Sequence, residues 1–469
     1  MPLAAALALA GCVNLAPDYE RPEAPVAQAW PEGESYANSE LKREELPKWQ
    51  TFIQDDRLKK VIELALSNNR DLRIAALNVE NARALYGVQR ADLFPTVAAA
   101  ASNATTHRES TDSTTHAYSA DLAMASYEID FFGRVRNLTE QALQTYLQSE
   151  DAQRTTQGTL VSEVTLAWLT LGANREQLAL QKETLASQEE SFRLVGESYK
   201  YGAASRLDYE QARTTVASAR AAITTYVRAV GAKQKLHSNC SWGSKVPDEL
   251  QPSGVELAAT LPATLPAGLP SEVLLNRPDI ISAERGMISA NANIGAARAA
   301  FFPSISLTAN AGSASAHLSD LFGANTGLWS FTPSISIPIF TGGRNLANLR
   351  SAEVQEKIAV ATYEKSIQTA FQEVADALAT EGTVERELKE RREFADAASQ
   401  AFELSSARYK HGAAAYTEVL DAQRTKVSAQ QAVITAELSR ASSLVTLYKV
   451  LGGGTELPEP AKTTEGAEK

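Results

Sequence analysis

The sequence predicts a mainly α-helical protein with a small β component, built as an internal duplication. Three observations predict it: the 18 prolines of the 469 residues leave two long proline-free spans, two segments switch to a period of two, and a set of short motifs returns about 210 residues later.

Prolines crowd into 17–47 and 247–278, then recur singly at Pro95, Pro303, Pro333, Pro338, Pro458 and Pro460. Proline inside a helix costs ~3 kcal/mol, because it removes a donor and clashes with the preceding turn. The intervals between Pro95 and Pro247 and between Pro338 and Pro458 are therefore where long helices can run, and their Ala, Glu, Gln, Leu, Arg and Lys content agrees. Reading the breakers places helices at roughly 57–93, 134–199, 204–236, 279–302, 344–409 and 414–451, with Gly202 and Gly412 in short small-residue turns. At ~1.5 Å per residue the two longest would reach about 100 Å. That is too long for a globular helix and suits a coiled coil or tube.

The duplication is carried by three landmarks. Phe94-Pro95 returns as Phe302-Pro303, and Phe131-Phe132-Gly133-Arg134 as Phe340-Thr341-Gly342-Gly343-Arg344. Tyr199-Lys200-Tyr201-Gly202-Ala203-Ala204 returns as Tyr409-Lys410-His411-Gly412-Ala413-Ala414. Same order and near-equal offsets define a repeat: helix, Phe-Pro, insert, Gly-Arg, long helix, glycine turn, helix.

The insert changes period. Ile305, Leu307, Ala309 and Ala311 alternate with Ser304, Ser306, Thr308 and Asn310. Trp329, Phe331, Ile335, Ile337 and Ile339 alternate with Ser330, Thr332, Ser334 and Ser336. Such alternation marks strands with one apolar face. In the first half Tyr118, Ala120, Leu122 and Met124 alternate, 96–106 is mostly Ala, Ser and Thr, and the polar stretch from His107 to His116 fits an exposed loop. Each half thus carries one hairpin, about 96–132 and 304–340, with strands of ~10 residues, long enough to cross an outer membrane when tilted. Alternation alone also fits half-buried soluble hairpins. Against that, Tyr127, Phe131, Phe132, Trp329, Phe331 and Phe340 sit near strand ends, as interfacial girdles do. Four strands cannot close an open barrel and an unpaired edge cannot face lipid, so other copies must complete it. Three copies give twelve strands.

Charge and composition exclude other classes. With 45 Lys+Arg against 56 Asp+Glu the formal charge is −11, which argues against nucleic acid. Two cysteines, Cys12 and Cys240, cannot build a disulfide framework. No apolar run is long enough for a membrane helix. No nucleophile elbow, P-loop, HExxH or dinucleotide turn is present, so an enzyme is not expected. His107, His116 and His317 fall near hairpin loops, but neither a metal site nor a cofactor is expected.

Residues 2–11 form a short apolar run ending at Cys12, and Leu9-Ala10-Gly11-Cys12 resembles the bacterial lipobox. Residues 1–11 then read as a lipoprotein signal peptide and Cys12 as the site of covalent lipid attachment, palmitate included, tethering the chain without a spanning helix. No Lys or Arg precedes the run, which departs from the pattern and points to a start codon further upstream. The bland alternative is an Ala-rich leader with a buried cysteine.

Several motifs together resemble one family: Pro17-Asp18-Tyr19 with Arg21-Pro22, Glu128-Ile129-Asp130-Phe131-Phe132-Gly133-Arg134, Leu265-Pro266-Ala267-Gly268-Leu269-Pro270-Ser271 running to Arg277-Pro278-Asp279-Ile280, and the two Tyr-x-x-Gly turns. They resemble the outer membrane factors, the TolC-like exit ducts, and within these the OprM-like or NodT-like lipoprotein branch that works with RND-type efflux systems. The resemblance implies a mainly α fold with transmembrane β: a trimeric twelve-stranded outer-membrane β-barrel, four strands per chain, continued by a long periplasmic α-helical barrel. It implies a passive exit duct in the outer membrane, partnered by a periplasmic adaptor and an inner-membrane transporter. The predicted organisation is signal peptide 1–11, lipidated equatorial segment 12–56, first repeat 57–246, equatorial linker 247–278, second repeat 279–452 and tail 453–469. The stretch Lys233 to Lys245 departs from the family pattern, and Cys240 within it reads as an inert thiol.

The resemblance also points to sites. Tyr199, Gly202, Tyr409 and Gly412, at the two turns, correspond to adaptor contacts, although glycine alone could simply make the reversal. Thr417, Glu418 and Asp421 match the constricting positions of a periplasmic gate. Glu418 and Asp421, three apart, share a helix face, and a trimer would repeat them as rings that favour cations. The alternative is an ordinary acidic first turn facing water. Asp208, the counterpart in the first repeat, reads as a cap or a partner of Arg206. A contrasting reading of the whole chain is a lipid-anchored periplasmic coiled-coil scaffold or adaptor without a pore.

Overall fold

A computed structural model describes residues 13–457 except 28, 32, 37–45, 242–245, 255–259, 263–264, 266–273 and 276, and describes only the backbone of 233–241. Cys12, the signal peptide, Cys240 and most of the Leu265–Ser271 motif lie outside the described residues or side chains. The elements in order are α1 (Trp49–Phe52), α2 (Asp56–Asn68), α3 (Arg70–Ala91), β1 (Val97–Arg108), β2 (Ser113–Ile129), α4 (Arg134–Lys200), α5 (Arg206–Ser241), α6 (Pro278–Ala299), β3 (Ser304–Ser315), β4 (Gly327–Ser336), α7 (Arg344–Lys410) and α8 (Tyr416–Val450). The repeat is visible in them: α4 and α7 are both 67 residues long and start 210 positions apart.

The chain forms two compact units, each drawing on both repeats. One comprises residues 1–24, 77–151 and 281–365; the other comprises 25–76, 152–280 and 366–469.

The described residues of the first unit contain an antiparallel sheet in the order β1-β2-β3-β4. Its register puts Leu122 opposite Ala311 and Ala311 opposite Trp329, with Ala309 opposite Phe331 and Ile305 opposite Ile335. Directly opposed residues share a face, so these apolar side chains form one surface, and Leu122, Trp329, Phe331 and Ile335 stand exposed on it. The other face is mostly Ser, Thr, Ala, Gly and Asn, with Arg108, Asp121, Glu128 and Leu328 among them, and includes the row Ala100–Asp121–Gly312–Leu328. A β-bulge between Met124 and Tyr127 resets β2 so that Ile129 returns to the apolar face beside Ile305.

The stretch from His107 to His116 is not a loop: β1 continues to Arg108, β2 begins at Ser113, and only 109–112 turns, with Asp112 left-handed at φ 46°. Thr105, Thr106, Thr114 and Thr115 are β-branched and suit extended backbone, and cross-strand bonds Thr105–His116 (2.9 Å) and His107–Thr114 (3.0 Å) replace apolar packing. Polarity alone misread it.

The segment beginning at Val13 is fastened to this unit. Val13 donates its backbone N–H to the Phe131 carbonyl at 3.1 Å, Asn137 donates to the Asn14 side chain at 2.8 Å, and Arg298 donates to the Leu15 carbonyl at 3.2 Å. Two glycines make room for it: a Cβ on Gly295 would meet Ala16 at 2.8 Å, and one on Gly133 would meet the Val13 carbonyl at 3.3 Å. Farther along, Arg21 makes a two-pronged pair with Glu284 (2.7 and 2.8 Å), and Tyr19 donates to the same carboxylate at 3.1 Å.

The second unit holds a core of Phe52, Leu58, Ile62, Trp168, Leu171, Leu274 and Tyr448. The helix expected over 57–93 is broken at Asn69, whose backbone is extended (ψ 132°) and whose side chain accepts from Leu72 N–H at 2.9 Å. A single asparagine thus ends α2 and caps α3. The Arg277-Pro278-Asp279 motif opens α6, and proline fits there because the first helical N–H needs no partner. Arg277 is nearly buried. It grips Asp279 through Nε (3.0 Å) and Nη2 (2.7 Å), Glu373 of α7 at 2.9 Å, and the Val450 carbonyl at the end of α8 at 2.7 Å. Burial would lower its basicity, but the two carboxylates outweigh that and hold it above the ordinary arginine value.

Two outcomes follow. Arg277→Met should destabilise the protein by about 1–2 kcal/mol, since it removes charge-assisted hydrogen bonds to Asp279, Glu373 and the Val450 carbonyl while the two carboxylates remain partly solvated; a thermal melt followed by far-ultraviolet circular dichroism reads it, and an unchanged melt contradicts the hub. Gly295→Val should expel the 13–16 segment, seen as new protease cleavage there while the melt stays within a few degrees of the parent.

Candidate functional site

The two glycine turns carry the sites singled out in the sequence. Each long helix ends in the same way. Gly202 donates to the Tyr199 carbonyl (3.0 Å) and Ala203 to Ser198 (2.8 Å); Gly412 donates to Tyr409 (2.9 Å) and Ala413 to Arg408 (2.9 Å). This pair of reverse bonds is the Schellman termination, which needs a left-handed residue. Gly202 has φ +75° and Gly412 φ +72°, and a Cβ on either would meet nothing within 4 Å. Backbone conformation, not crowding, selects glycine at both.

The helices that follow start differently. Ser205 and Asp208 form a reciprocal capping box: Asp208 accepts from the Ser205 N–H (3.1 Å) and hydroxyl (2.7 Å), and its own N–H donates to the Ser205 hydroxyl at 3.1 Å. The cap reading of Asp208 is the one observed. In the second repeat Ala415 holds the cap position and has no side-chain bond to give. Glu418, the counterpart of Asp208, turns instead to Arg408, which bonds it at 3.2 Å and also donates to the Ala413 carbonyl at 3.2 Å.

An apolar cluster joins the turns. Val195, Ala212, Tyr416, Val419 and Leu420 are buried together, with Phe192, Tyr209 and Tyr409 packed on them. Tyr199 stacks on Tyr209 with centroids 5.4 Å apart, and Tyr409 tilts against Tyr416 at 5.3 Å. Burial first, then Tyr409 and the Asp208 carboxylate, push the Tyr416 phenol up to about 12, so it stays protonated at neutral pH. The tyrosines at both turns are therefore partly occupied within the chain. Tyr199 remains 41% exposed.

Thr417, Glu418 and Asp421 lie on the exposed side of α8, opposite buried Tyr416, Val419, Leu420 and Gln423. The predicted carboxylates are not alone: Arg408 accompanies Glu418, and Arg424 stands 3.6 Å from Asp421. Sequence reading missed both arginines. The i, i+3 spacing of Asp421 and Arg424 could have found one; the Arg408 pair depends on the shape of the turn. It also missed Tyr201 and Leu207, which stand 85% and 64% exposed at the first turn. His107 and His116 are engaged with Thr114 and Thr105, and among the described residues no three potential ligands gather into a metal site.

The chain matches the family model described as outer membrane efflux protein over residues 61–234 and 269–453. It is 46% identical over 462 residues to the solvent efflux pump outer membrane protein SrpC of Pseudomonas putida, covering 97% of this chain and 98% of the relative. It is 40% identical over 465 residues to the cation efflux system protein CusC of Escherichia coli, covering 97% and 98%. Among solved structures, the open state of the Neisseria gonorrhoeae MtrE outer membrane channel superposes with a TM-score of 0.87 at 36% identity, covering 94% of this chain and 99% of that one. Structural relatives of this kind are trimeric channels, not enzymes, with the barrel-and-helix fold expected from the sequence. The chain belongs to the outer membrane efflux protein family and is an exit channel of the outer membrane with a periplasmic tunnel.

Proposed function

We propose that this channel docks a periplasmic adaptor at its two glycine turns, receives cargo from an RND-type transporter, and is gated on the exposed face of α8. The observation that carries the reading is the pairing of the two turns. One apolar cluster holds them side by side, so the reversals at Gly202 and Gly412 present a doubled end to a partner. Tyr199 and Tyr409 buttress that end, and the exposed Tyr201 and Leu207 give a coiled-coil hairpin apolar surface to bury. Thr417, Glu418 and Asp421 form the gate, and Arg408 and Arg424 hold its carboxylates. A trimer repeats this face around one axis, where three copies of each carboxylate favour cations at the mouth. Relatives are named for solvent and for cation efflux, which suits a duct whose cargo is chosen by its transporter.

The N-terminal anchor belongs to the same proposal. Val13, directly after Cys12, bonds to Phe131, two residues past the end of β2. This attachment would hold an acylated Cys12 at the rim of the barrel, where a lipid chain enters the adjacent leaflet.

Planar-bilayer recordings test the gate. The Glu418→Ala/Asp421→Ala double variant should conduct severalfold more than the parent, and Arg408→Ala should move the same way by freeing Glu418; equal currents in all three would move the gate elsewhere. Intact-mass measurement tests the anchor. Purified protein should begin at Cys12 and carry fatty acyl mass that Cys12→Ser lacks, and an unacylated mature chain would remove the lipoprotein reading.

A further inference from the structure

The polar face of the sheet becomes the inner wall of the barrel, because the apolar face with Leu122, Trp329, Phe331 and Ile335 must meet lipid. That inner face is nearly uncharged. Across β2, β3 and β4 it runs through Ser119, Ser306, Thr308, Asn310, Ser330, Thr332 and Ser334. Glu128, at its periplasmic end, is taken up by Arg134 in a two-pronged pair. Besides Glu128, its charges are Arg108, the last residue of β1 beside the turn, and Asp121. It sits mid-strand in β2 between Ala100 and Gly312, half-buried, and among the described residues no side chain bonds or pairs with its carboxylate.

Gly312 makes that placement possible. A Cβ there would stand 2.5 Å from the Asp121 Cα and Cβ. No larger residue could occupy the position without displacing Asp121, so the space over the glycine belongs to the aspartate. Ala100, on the other side, adds no bulk. The carboxylate is flanked by alanine and glycine, with Leu328 beyond the glycine, in a wall mainly of hydroxyls, amides and small side chains, and it faces the lumen.

We propose that Asp121, repeated three times by the trimer, is a charge filter in the membrane-level wall of the channel, favouring hydrated cations and cationic cargo over anions. It rests on the barrel and not on the gate at α8. Twelve strands about 4.8 Å apart and tilted ~40° enclose a wall of about 12 Å radius, which puts each carboxylate ~10 Å from the axis. At ~10 mM salt the Debye length is ~30 Å, and three charges at that distance in water enrich monovalent cations on the axis about fivefold. At ~1 M the length falls to ~3 Å and the enrichment vanishes.

The test is the cation-to-anion permeability ratio, from reversal potentials across potassium chloride gradients in planar bilayers. It is made on trimers carrying Glu418→Ala/Asp421→Ala, so that the carboxylates of α8 contribute nothing. Asp121→Asn should lower the ratio severalfold near ~10 mM salt, Asp121→Lys should invert it, Asp121→Glu should keep it, and all should coincide near ~1 M. Equal ratios at low salt for Asp121, Asn and Lys overturn the proposal. A mistaken gate would show separately, as equal conductance with and without the Glu418/Asp421 change, and would leave the Asp121 comparison intact.

Discussion

A strand edge cannot end in lipid. Each unpaired N–H and C=O there costs several kcal/mol, with no water to satisfy it, and the sheet of this chain has two such edges, β1 and β4. Everything else follows from that demand. The sheet needs neighbours, the neighbours must be copies of the chain, and the helices must present surfaces those copies can cover. Exposed apolar residues in the same unit match this need: Leu77, Leu85 and Val88 on α3, and Leu346, Val354 and Ile358 on α7. Each is about half exposed and contributes about 1 kcal/mol when covered. Left open, they would be a liability in a monomer.

Long helices with little globular core must be fastened by other means, and here the fastenings are charged. Arg277 ties the start of α6 to the middle of α7 and the end of α8. Arg285 reaches the buried Asp151 of α4 at 2.6 Å, and Glu284 collects Arg21 and Tyr19 from the N-terminal segment. Such pairs gain little net stability over apolar packing, but losing one partner is costly. They therefore suit register: a helix slipped by one turn would strand a buried charge, whereas slipped leucines would find other leucines.

Much of this was legible in the sequence, for physical reasons. Proline exclusion and the repeat placed both 67-residue helices to within a residue, because a long helix leaves a long proline-free trace. The alternation of Ser with Ile and Leu in 304–311 gave the sheet face directly, since strand periodicity is geometric. The misses share a cause. Asn69 breaks a helix with one side-chain bond, the Thr-rich tip of the first hairpin pairs through hydroxyls and imidazoles, and Arg408 meets Glu418 only because the turn between them folds back. Each is a polar contact that depends on where the chain goes, and a period cannot register it. The same limit applies to partners of recognised motifs: Arg277 was visible, Glu373 was not.

The two turns also show what duplication permits. Both keep the glycine termination, which backbone geometry dictates. Only the first keeps the capping box, in which Ser205 and Asp208 satisfy donors that a helix start cannot otherwise satisfy. That device is local and holds whatever its surroundings do. The second turn replaces it with an ion pair between Arg408 and Glu418, whose side chains are 59% and 48% exposed. An exposed pair contributes about 0–1 kcal/mol and weakens in salt, while a lost cap costs ~1 kcal/mol at the helix start. The first turn is thus held by its own cap, and the second by the burial of Tyr416, Val419 and Leu420 in the cluster between the turns, at about 1.5–3 kcal/mol for each fully buried apolar side chain. Two ends with one backbone termination therefore rest on different interactions: the start of α5 on local hydrogen bonds, the start of α8 on tertiary packing that a partner at the turns could reach.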